Sequence, residues 1–318
     1  MILSSPIAYL SEGVFVELDE FVGPAKAFLK LESFNVAGSI KLKPAIHMLD
    51  ELQTAGRLHR GARLIESSSG NLGVALAMVC RARKFDFTCV SDPNLTSHAA
   101  AMMRTLGAKV VVVTDRDANG GFLQTRIDYI QRELAADPSL IWLNQYANPS
   151  NLRAHARSTA LEILRDFPRV DYLFVGTGTC GTAMGCSEVF RERSPSTRIV
   201  AIDVEGSVTF GGRPGPRKIP GLGTSRRPEI ADPRKVDEVL IISERETIAM
   251  CRELVGRYGI LLGGSSGTVL TGLRKRLVRP AAGEIAIAIA PDSGERYLDS
   301  IYDDEWVVRH FPQPPSLT

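Results

Sequence analysis

Asn35-Val36-Ala37-Gly38-Ser39-Ile40-Lys41-Leu42-Lys43-Pro44 is the stretch on which the reading of this chain turns. Small, turn-permissive residues lead directly into a lysine and then into a segment with helical periodicity. Over 42–55, Ile46, Leu49 and Leu52 recur at three-residue intervals with Ala45 and Met48 beside them, the pattern of one buried helix face. Ser39 is expected to cap this helix, which puts Lys41 in its first turn. The positive end of the helix dipole disfavours a protonated amine there and helps lower its pKa. A lysine that acts as a free amine, attacking a carbonyl or moving a proton, needs that help. The same pattern also describes a solvated lysine at a helix start, so the rest of the chain must decide.

Outward from the lysine, strand and helix patterns alternate almost without a break. Two short strands, 14–18 and 27–31, precede it. Strands are expected at 63–66, 87–91, 109–114, 140–144, 172–175, 198–204, 238–242 and 284–290. Helical segments at 72–83, 97–106, 122–134, 152–167, 182–193, 244–258 and 268–277 lie between most of them. Such alternation builds right-handed βαβ units and parallel sheets covered on both faces. Ligands bind these folds at the carboxyl ends of the strands, in the strand-to-helix turns.

Composition narrows the function classes. The 318 residues allow one large or two medium domains, and 44% apolar with 23% charged residues is usual for a soluble globular protein. A net charge of +2 gives no reason to expect a nucleic-acid or membrane surface, leaving small molecules as partners. Five cysteines without a Cys-x-x-Cys pair favour a reducing, cytoplasmic setting over a disulfide framework. The N-terminus lacks a basic region followed by an apolar run, and no stretch reaches transmembrane length. The five histidines lack metal-ligand spacing, so no metal is expected.

Four turns carry unusual residues. Glu66-Ser67-Ser68-Ser69-Gly70-Asn71-Leu72-Gly73 sets hydroxyls, a glycine and an amide at a helix N-terminus, a cradle for a phosphate or a carboxylate. Gly176-Thr177-Gly178-Thr179-Cys180-Gly181-Thr182 satisfies Gly-x-Gly-x-x-Gly, with Asp203 ending the next strand, so a nicotinamide dinucleotide is a live alternative. Its hydroxyls suit a terminal phosphate better than a bridging pyrophosphate. Cys180 has no sequence-local base and reads as a loop residue. Gly263-Gly264-Ser265-Ser266-Gly267-Thr268 permits close approach of a flat ligand, whose ring nitrogen a serine hydroxyl could meet. Asn144-Gln145-Tyr146-Ala147-Asn148-Pro149 places amides and a phenol at a strand end. A Gly/Pro-rich segment at 205–228 interrupts the alternation. It carries Arg213, Arg217, Lys218, Arg226 and Arg227, with no acid between Glu205 and Glu229. It reads either as a solvated surface loop or as a cover that receives an anionic substrate.

Lys41, the Ser-Gly-Asn turn, the Gly/Thr loop and the Gly-Ser-Ser-Gly turn, in that order, resemble the cysteine synthase branch of the fold type II pyridoxal-phosphate enzymes. The resemblance spans roughly 28–298. Within that branch, several further segments are similar to members that make N-(2-amino-2-carboxyethyl)-L-glutamate on the way to 2,3-diaminopropionate for siderophores or peptide natural products. These are Ala118-Asn119-Gly120-Gly121-Phe122-Leu123-Gln124-Thr125-Arg126, Asn144–Asn148, Gly206-Ser207-Val208-Thr209-Phe210-Gly211, Ile219-Pro220-Gly221-Leu222-Gly223 and 291–299, together with the opening stretch Asn35–Pro44.

The resemblance implies an α/β fold of the tryptophan synthase β type with two doubly wound parallel-sheet domains. The larger, cofactor-binding domain would comprise 1–36 plus 146–318 and the smaller, mobile one 37–145, in a homodimer. It implies pyridoxal 5′-phosphate as cofactor, held covalently by Lys41, which also moves the substrate's α-proton. Asn71 would meet the cofactor's phenolic oxygen and Ser265 its pyridine nitrogen. Gly178, Thr179, Cys180, Gly181 and Thr182 would bind its phosphate. Ser68, Ser69 and Gln145 would hold the substrate carboxylate, with Arg126 and Tyr146 as further substrate contacts. The implied reaction replaces the phosphate of O-phospho-L-serine with the amino group of L-glutamate. A cysteine synthase using O-acetylserine or O-phosphoserine with sulfide is the alternative enzyme, and a ligand-binding regulator the alternative class. The chain departs from the branch at Leu42-Lys43, where Asp-Arg is common, at Gly13-Val14-Phe15, where Thr-Pro is usual, and at Cys180, where glycine or threonine is common. The first of these is a local hint of a specialised synthase.

Overall fold

The computed structural model describes residues 12–312 together with Ser5, Ile7, Tyr9 and Leu10. The reading of the N-terminal leader therefore falls largely outside the described residues, as does that of the last six. Two sheets organise the chain. β3 (Arg63–Ser67), β4 (Asp86–Ser91), β5 (Lys109–Val112) and β6 (Ile141–Trp142) form a parallel sheet of order β5-β4-β3-β6. The second sheet has the order β1-β2-β10-β7-β8-β9. There β1 (Phe15–Glu17) and β2 (Lys26–Leu31) join β7 (Tyr172–Gly176), β8 (Arg198–Val204), β9 (Glu238–Ile242) and β10 (Ile285–Ala290). Only β1 runs antiparallel. The N-terminal strands thus belong with the C-terminal half because β2 pairs with β10 along its length.

The strand sequences explain the layers. In Ile285-Ala-Ile-Ala-Ile-Ala290, Ile287 and Ile289 pack with α7 (Gly181–Arg193), whereas the three alanines face the core of α9 (Gly264–Arg276). Alternate large and small residues let one helix lie close while the other face is filled by branched side chains. Gly272 of α9 sits against β8, where an added Cβ would lie 2.5 Å from the Ile202 side chain.

Helix α1 (Leu42–Thr54) forms as its periodicity predicts, with Leu42, Ala45, Met48 and Leu49 buried. Its start differs from expectation. Lys41 itself is the N-cap residue, and no side chain caps the helix. Ser39 is drawn into an antiparallel bridge with Asp292, and its buried hydroxyl has no hydrogen-bond partner. Asn35 shapes the turn instead: its Oδ1 accepts from Ala37 N, and its Nδ2 donates to the Glu32 and Ser39 carbonyls, each at 3.0 Å. The segment expected as one helix at 152–167 is two, α5 (Pro149–Arg157) and α6 (Thr159–Asp166). The break falls at Ser158, whose hydroxyl donates to the Ala154 carbonyl at 2.7 Å. A short C-terminal helix, Asp304–His310, was not anticipated.

Behind α1 lies a buried ionic cluster. Lys43 Nζ is 2.8 Å from Glu32 and 2.9 Å from Glu162, and Lys30 Nζ is 2.9 Å and 2.5 Å from the same two residues. Burial alone would lower the pKa of Lys30, but Glu32 and Glu162 raise it on balance. Two cations and two anions cancel, so the cluster is stable only when complete. Leu42 and Lys43 therefore pack away from the cavity described below. We expect Lys43→Met to destabilise the fold by roughly 3–5 kcal/mol, because one ammonium is left between two buried carboxylates. Urea unfolding of Lys43→Met and Lys43→Arg checks this; the arginine variant should recover most of the loss.

Candidate active site

The thirteen residues singled out from the sequence line one cavity at the carboxyl ends of the strands: Lys41, Ser68, Ser69, Asn71, Arg126, Gln145, Tyr146, Gly178, Thr179, Cys180, Gly181, Thr182 and Ser265. Lys41 enters from the N-cap of α1. Burial lowers the pKa of its amine, opposed by the nearby Asp292 carboxyl. Desolvation, with a helix start behind the residue, favours the neutral amine.

The Gly/Thr loop closes on the N-terminus of α7. Thr177 is structural, its hydroxyl donating to Ile202 O at 3.0 Å. Cys180 is the N-cap residue of α7 at φ 67°, in the left-handed region. With Gly181 and Thr182 it sets the N-terminus of that helix, where N–H groups lack intrahelical partners, in the cavity wall. A Cβ at Gly181 would lie 2.3 Å from Asn151 Oδ1, and one at Gly178 3.0 Å from the Gly221 carbonyl. Glycine is the residue that fits at both. Burial pushes the Cys180 thiol up to about 12, which keeps it protonated and unsuited to nucleophilic attack. Thr182 Oγ1 lies 3.3 Å from His155 Nε2, and His155 Nδ1 lies 3.2 Å from Thr159 Oγ1.

Opposite the loop, Asn71 opens α2 (Asn71–Arg83). Its Nδ2 donates to Asp292 Oδ2 at 2.7 Å, and its Oδ1 accepts from Arg296. Ser265 Oγ donates to Asp292 Oδ1 at 3.3 Å, and Tyr297 OH to Asp292 Oδ2 at 2.6 Å. Burial raises the pKa of the Asp292 carboxyl, against the pull of these donors and of Arg296. Ser68 Oγ accepts from Gly73 N at 3.0 Å and Gly70 N at 3.3 Å, so it fixes the turn as well as lining the cavity, which Ser69 lines beside it. Gln145 Nε2 donates to Ser67 O at 2.7 Å.

A dinucleotide fares badly here. Asp203, the acid expected to meet a ribose, is fully buried, and its Oδ1 accepts from Val204 N at 2.9 Å. A buried amine whose pKa is lowered by desolvation, beside an anion cradle, fits instead a group that carries both a carbonyl and a phosphate. A sequence model described as pyridoxal-phosphate dependent enzyme matches residues 15–291. The chain belongs to this family. Its cofactor is pyridoxal 5′-phosphate, and the fold is that of the fold type II enzymes.

This pyridoxal-phosphate enzyme is 43% identical over 286 residues to the N-(2-amino-2-carboxyethyl)-L-glutamate synthase of Ralstonia nicotianae, covering 90% of this chain and 85% of that one. It is 39% identical over 315 residues to the synthase of the same name from Cupriavidus metallidurans, covering 97% and 92%. The crystal structure of O-ureido-L-serine synthase superposes with a TM-score of 0.88 at 27% identity, covering 99% of this chain and 98% of that one.

Several lining residues escaped the sequence reading. Asp92, Asn94 and Thr96 follow β4, a strand end that the carboxyl-end rule alone could have flagged. Of the basic loop already singled out from the sequence, Arg217 and Lys218 reach the cavity wall. Glu244 Oε1 pins that loop by accepting from Lys218 N at 2.8 Å and Ile219 N at 2.6 Å. Arg226 and Arg227 are engaged elsewhere, by Glu229 and by the Ala231 carbonyl.

Proposed function

We propose that this enzyme joins L-glutamate, through its amino nitrogen, to the β-carbon of O-phospho-L-serine, releasing phosphate and N-(2-amino-2-carboxyethyl)-L-glutamate. One observation carries the reading beyond the names of the relatives. Arg126 is 6% exposed and lines the cavity, and its Nε and Nη1 have no hydrogen-bond partner; Asp92 lies 3.4 Å from Nε. A buried guanidinium with free donors needs an anion. Arg116, Arg217 and Lys218 line the same cavity, so its positive charge exceeds what Asp92 balances. That surplus suits two substrates each bearing several negative charges better than a neutral acetylated serine with sulfide.

Bound in this cavity, pyridoxal phosphate supplies an electron sink that makes the substrate's α-proton acidic. Lys41 Nζ takes that proton, the β-carbon–oxygen bond breaks and phosphate leaves. The glutamate nitrogen then bonds to the β-carbon and loses a proton, and Lys41 returns one to the α-carbon. In this reading Gly178, Thr179, Cys180, Gly181 and Thr182 hold the cofactor phosphate. Asn71 and Ser265 meet the two sides of its ring. Ser69, with Ser68 and Gln145 behind it, receives the substrate carboxylate. Arg126 and Tyr146 meet the remaining charges.

Water must be kept out, and closure of residues 37–145 over the rest would do so. Two contacts across the mouth support that motion: Ser225 Oγ donates to Asp117 Oδ2, and Asn119 Nδ2 donates to Ser225 O, both at 2.6 Å. We place the enzyme in the cytoplasm as a homodimer supplying 2,3-diaminopropionate for siderophore or peptide assembly. Five buried, unpaired cysteines support a reducing compartment. Among the described residues no helix is long and apolar enough to cross a membrane. The test is phosphate release from O-phospho-L-serine with and without L-glutamate. Glutamate-dependent release is expected. Release that needs sulfide, or turnover of O-acetylserine alone, would favour a cysteine synthase.

A further inference from the structure

The segment after β10 does more than close the cavity. Asp292 and Arg296 grip the Asn71 amide from opposite sides: the carboxylate accepts from its nitrogen, and the guanidinium donates to its oxygen. An amide's two ends are nearly the same shape, so packing alone does not choose between its orientations. Charge does. A flipped Asn71 would set its oxygen against the carboxylate and its NH2 against the guanidinium.

Each gripping residue is itself held. Arg296 donates through its second nitrogen to the Ala37 carbonyl, in the turn that leads to Lys41. Gly38, at φ 62°, makes room for this: a Cβ there would lie 2.7 Å from Arg296 Nη2. Asp292 is 1% exposed, and all three side chains bonded to it (Asn71, Ser265 and Tyr297) donate, which is what a carboxylate requires. Its backbone bridges Ser39, two residues before Lys41.

We propose that Asp292 and Arg296 are positioning residues that lock the Asn71 amide with its NH2 group free to donate its second proton to the cofactor's phenolic oxygen. This rests on the reading that Asn71 meets that oxygen. The lock ties the lysine turn and the ring contact to one short segment, so the two ends of the cofactor's reactive edge are set together.

A hydrogen bond to the phenolic oxygen favours its ionised form, which absorbs in the visible; the neutral form absorbs in the near ultraviolet. The ratio of the two bands in the resting holoenzyme at fixed pH therefore reads the Asn71 contact without turnover. Asp292→Ala is expected to lower that ratio about tenfold, the usual worth of one such hydrogen bond. Asp292→Asn, which keeps an acceptor for Asn71, should recover most of it. In an Asn71→Ala background the same Asp292→Ala change should alter the ratio less than about twofold, because nothing is left to orient. Arg296→Met approaches the lock from the other side and decides the matter if Asp292→Ala fails to fold. It should give the same loss with the same dependence on Asn71. An unchanged ratio, or an undiminished loss in the Asn71→Ala background, would overturn the proposal. If Asn71→Ala alone leaves the ratio unchanged, the reading of Asn71 itself fails.

Discussion

Lys41→Ala is expected to lower turnover by roughly 10³-fold or more, the worth of a positioned proton carrier in its reaction. Lys41 is the amine of the cavity whose burial favours the neutral form, and no other lysine replaces it. Lys43 is committed to Glu32 and Glu162, and Lys218 lies on the irregular loop with its backbone fixed by Glu244. The phosphate cradle does not depend on Lys41, so cofactor should still bind, without a covalent link. Borohydride reduction followed by peptide mass analysis checks this directly. The wild type should carry added mass at Lys41 and lose its visible band, whereas the variant should carry none. A variant that keeps more than a tenth of wild-type turnover would remove Lys41 from the proposed mechanism.

Arg126→Ala should reduce kcat/KM for O-phospho-L-serine by about 10²- to 10⁴-fold, because a charged hydrogen bond contributes about 1.5–3 kcal/mol and the fork offers two. The same change strands the Asp92 carboxylate, whose Oδ1 accepts from Asn94 N at 2.8 Å but whose Oδ2 loses the Arg126 guanidinium. Thermal unfolding should therefore accompany the kinetics. Arg126→Lys keeps the charge but loses the planar fork, so it should hold the fold while recovering only part of the rate. If Arg126 only balances Asp92, the lysine variant would match wild type in kcat/KM for both substrates.

Much of this protein was legible in its residues, for identifiable reasons. The parallel sheets followed from the near-unbroken alternation of strand and helix patterns, and the cavity followed from Gly- and hydroxyl-rich turns at strand ends. What the residues did not disclose is what distance in sequence hides. Ser39 looked like an N-cap because the rule for caps is local, but Asp292 claims its backbone from the far end of the chain. Asp292 and Arg296 stood in a stretch that merely matched a pattern. Their purpose becomes visible only when folding brings them to Asn71, 221 and 225 residues away. Likewise, Leu42-Lys43 reads as a local hint of a specialised synthase, but the residues alone do not show that Lys43 ends in an ionic cluster behind α1. The basic loop split both ways, with Arg217 and Lys218 at the cavity and Arg226 and Arg227 engaged at the surface.

The central claim is that an amino acid's nitrogen, and not sulfur, is joined to the serine-derived carbon. Incubating the holoenzyme with O-phospho-L-serine, ¹⁵N-labelled L-glutamate and an equal concentration of sulfide, then identifying the products by mass spectrometry, tests it most directly. N-(2-amino-2-carboxyethyl)-L-glutamate carrying the label in its secondary amine is the expected dominant product. Unlabelled cysteine as the dominant product would contradict it.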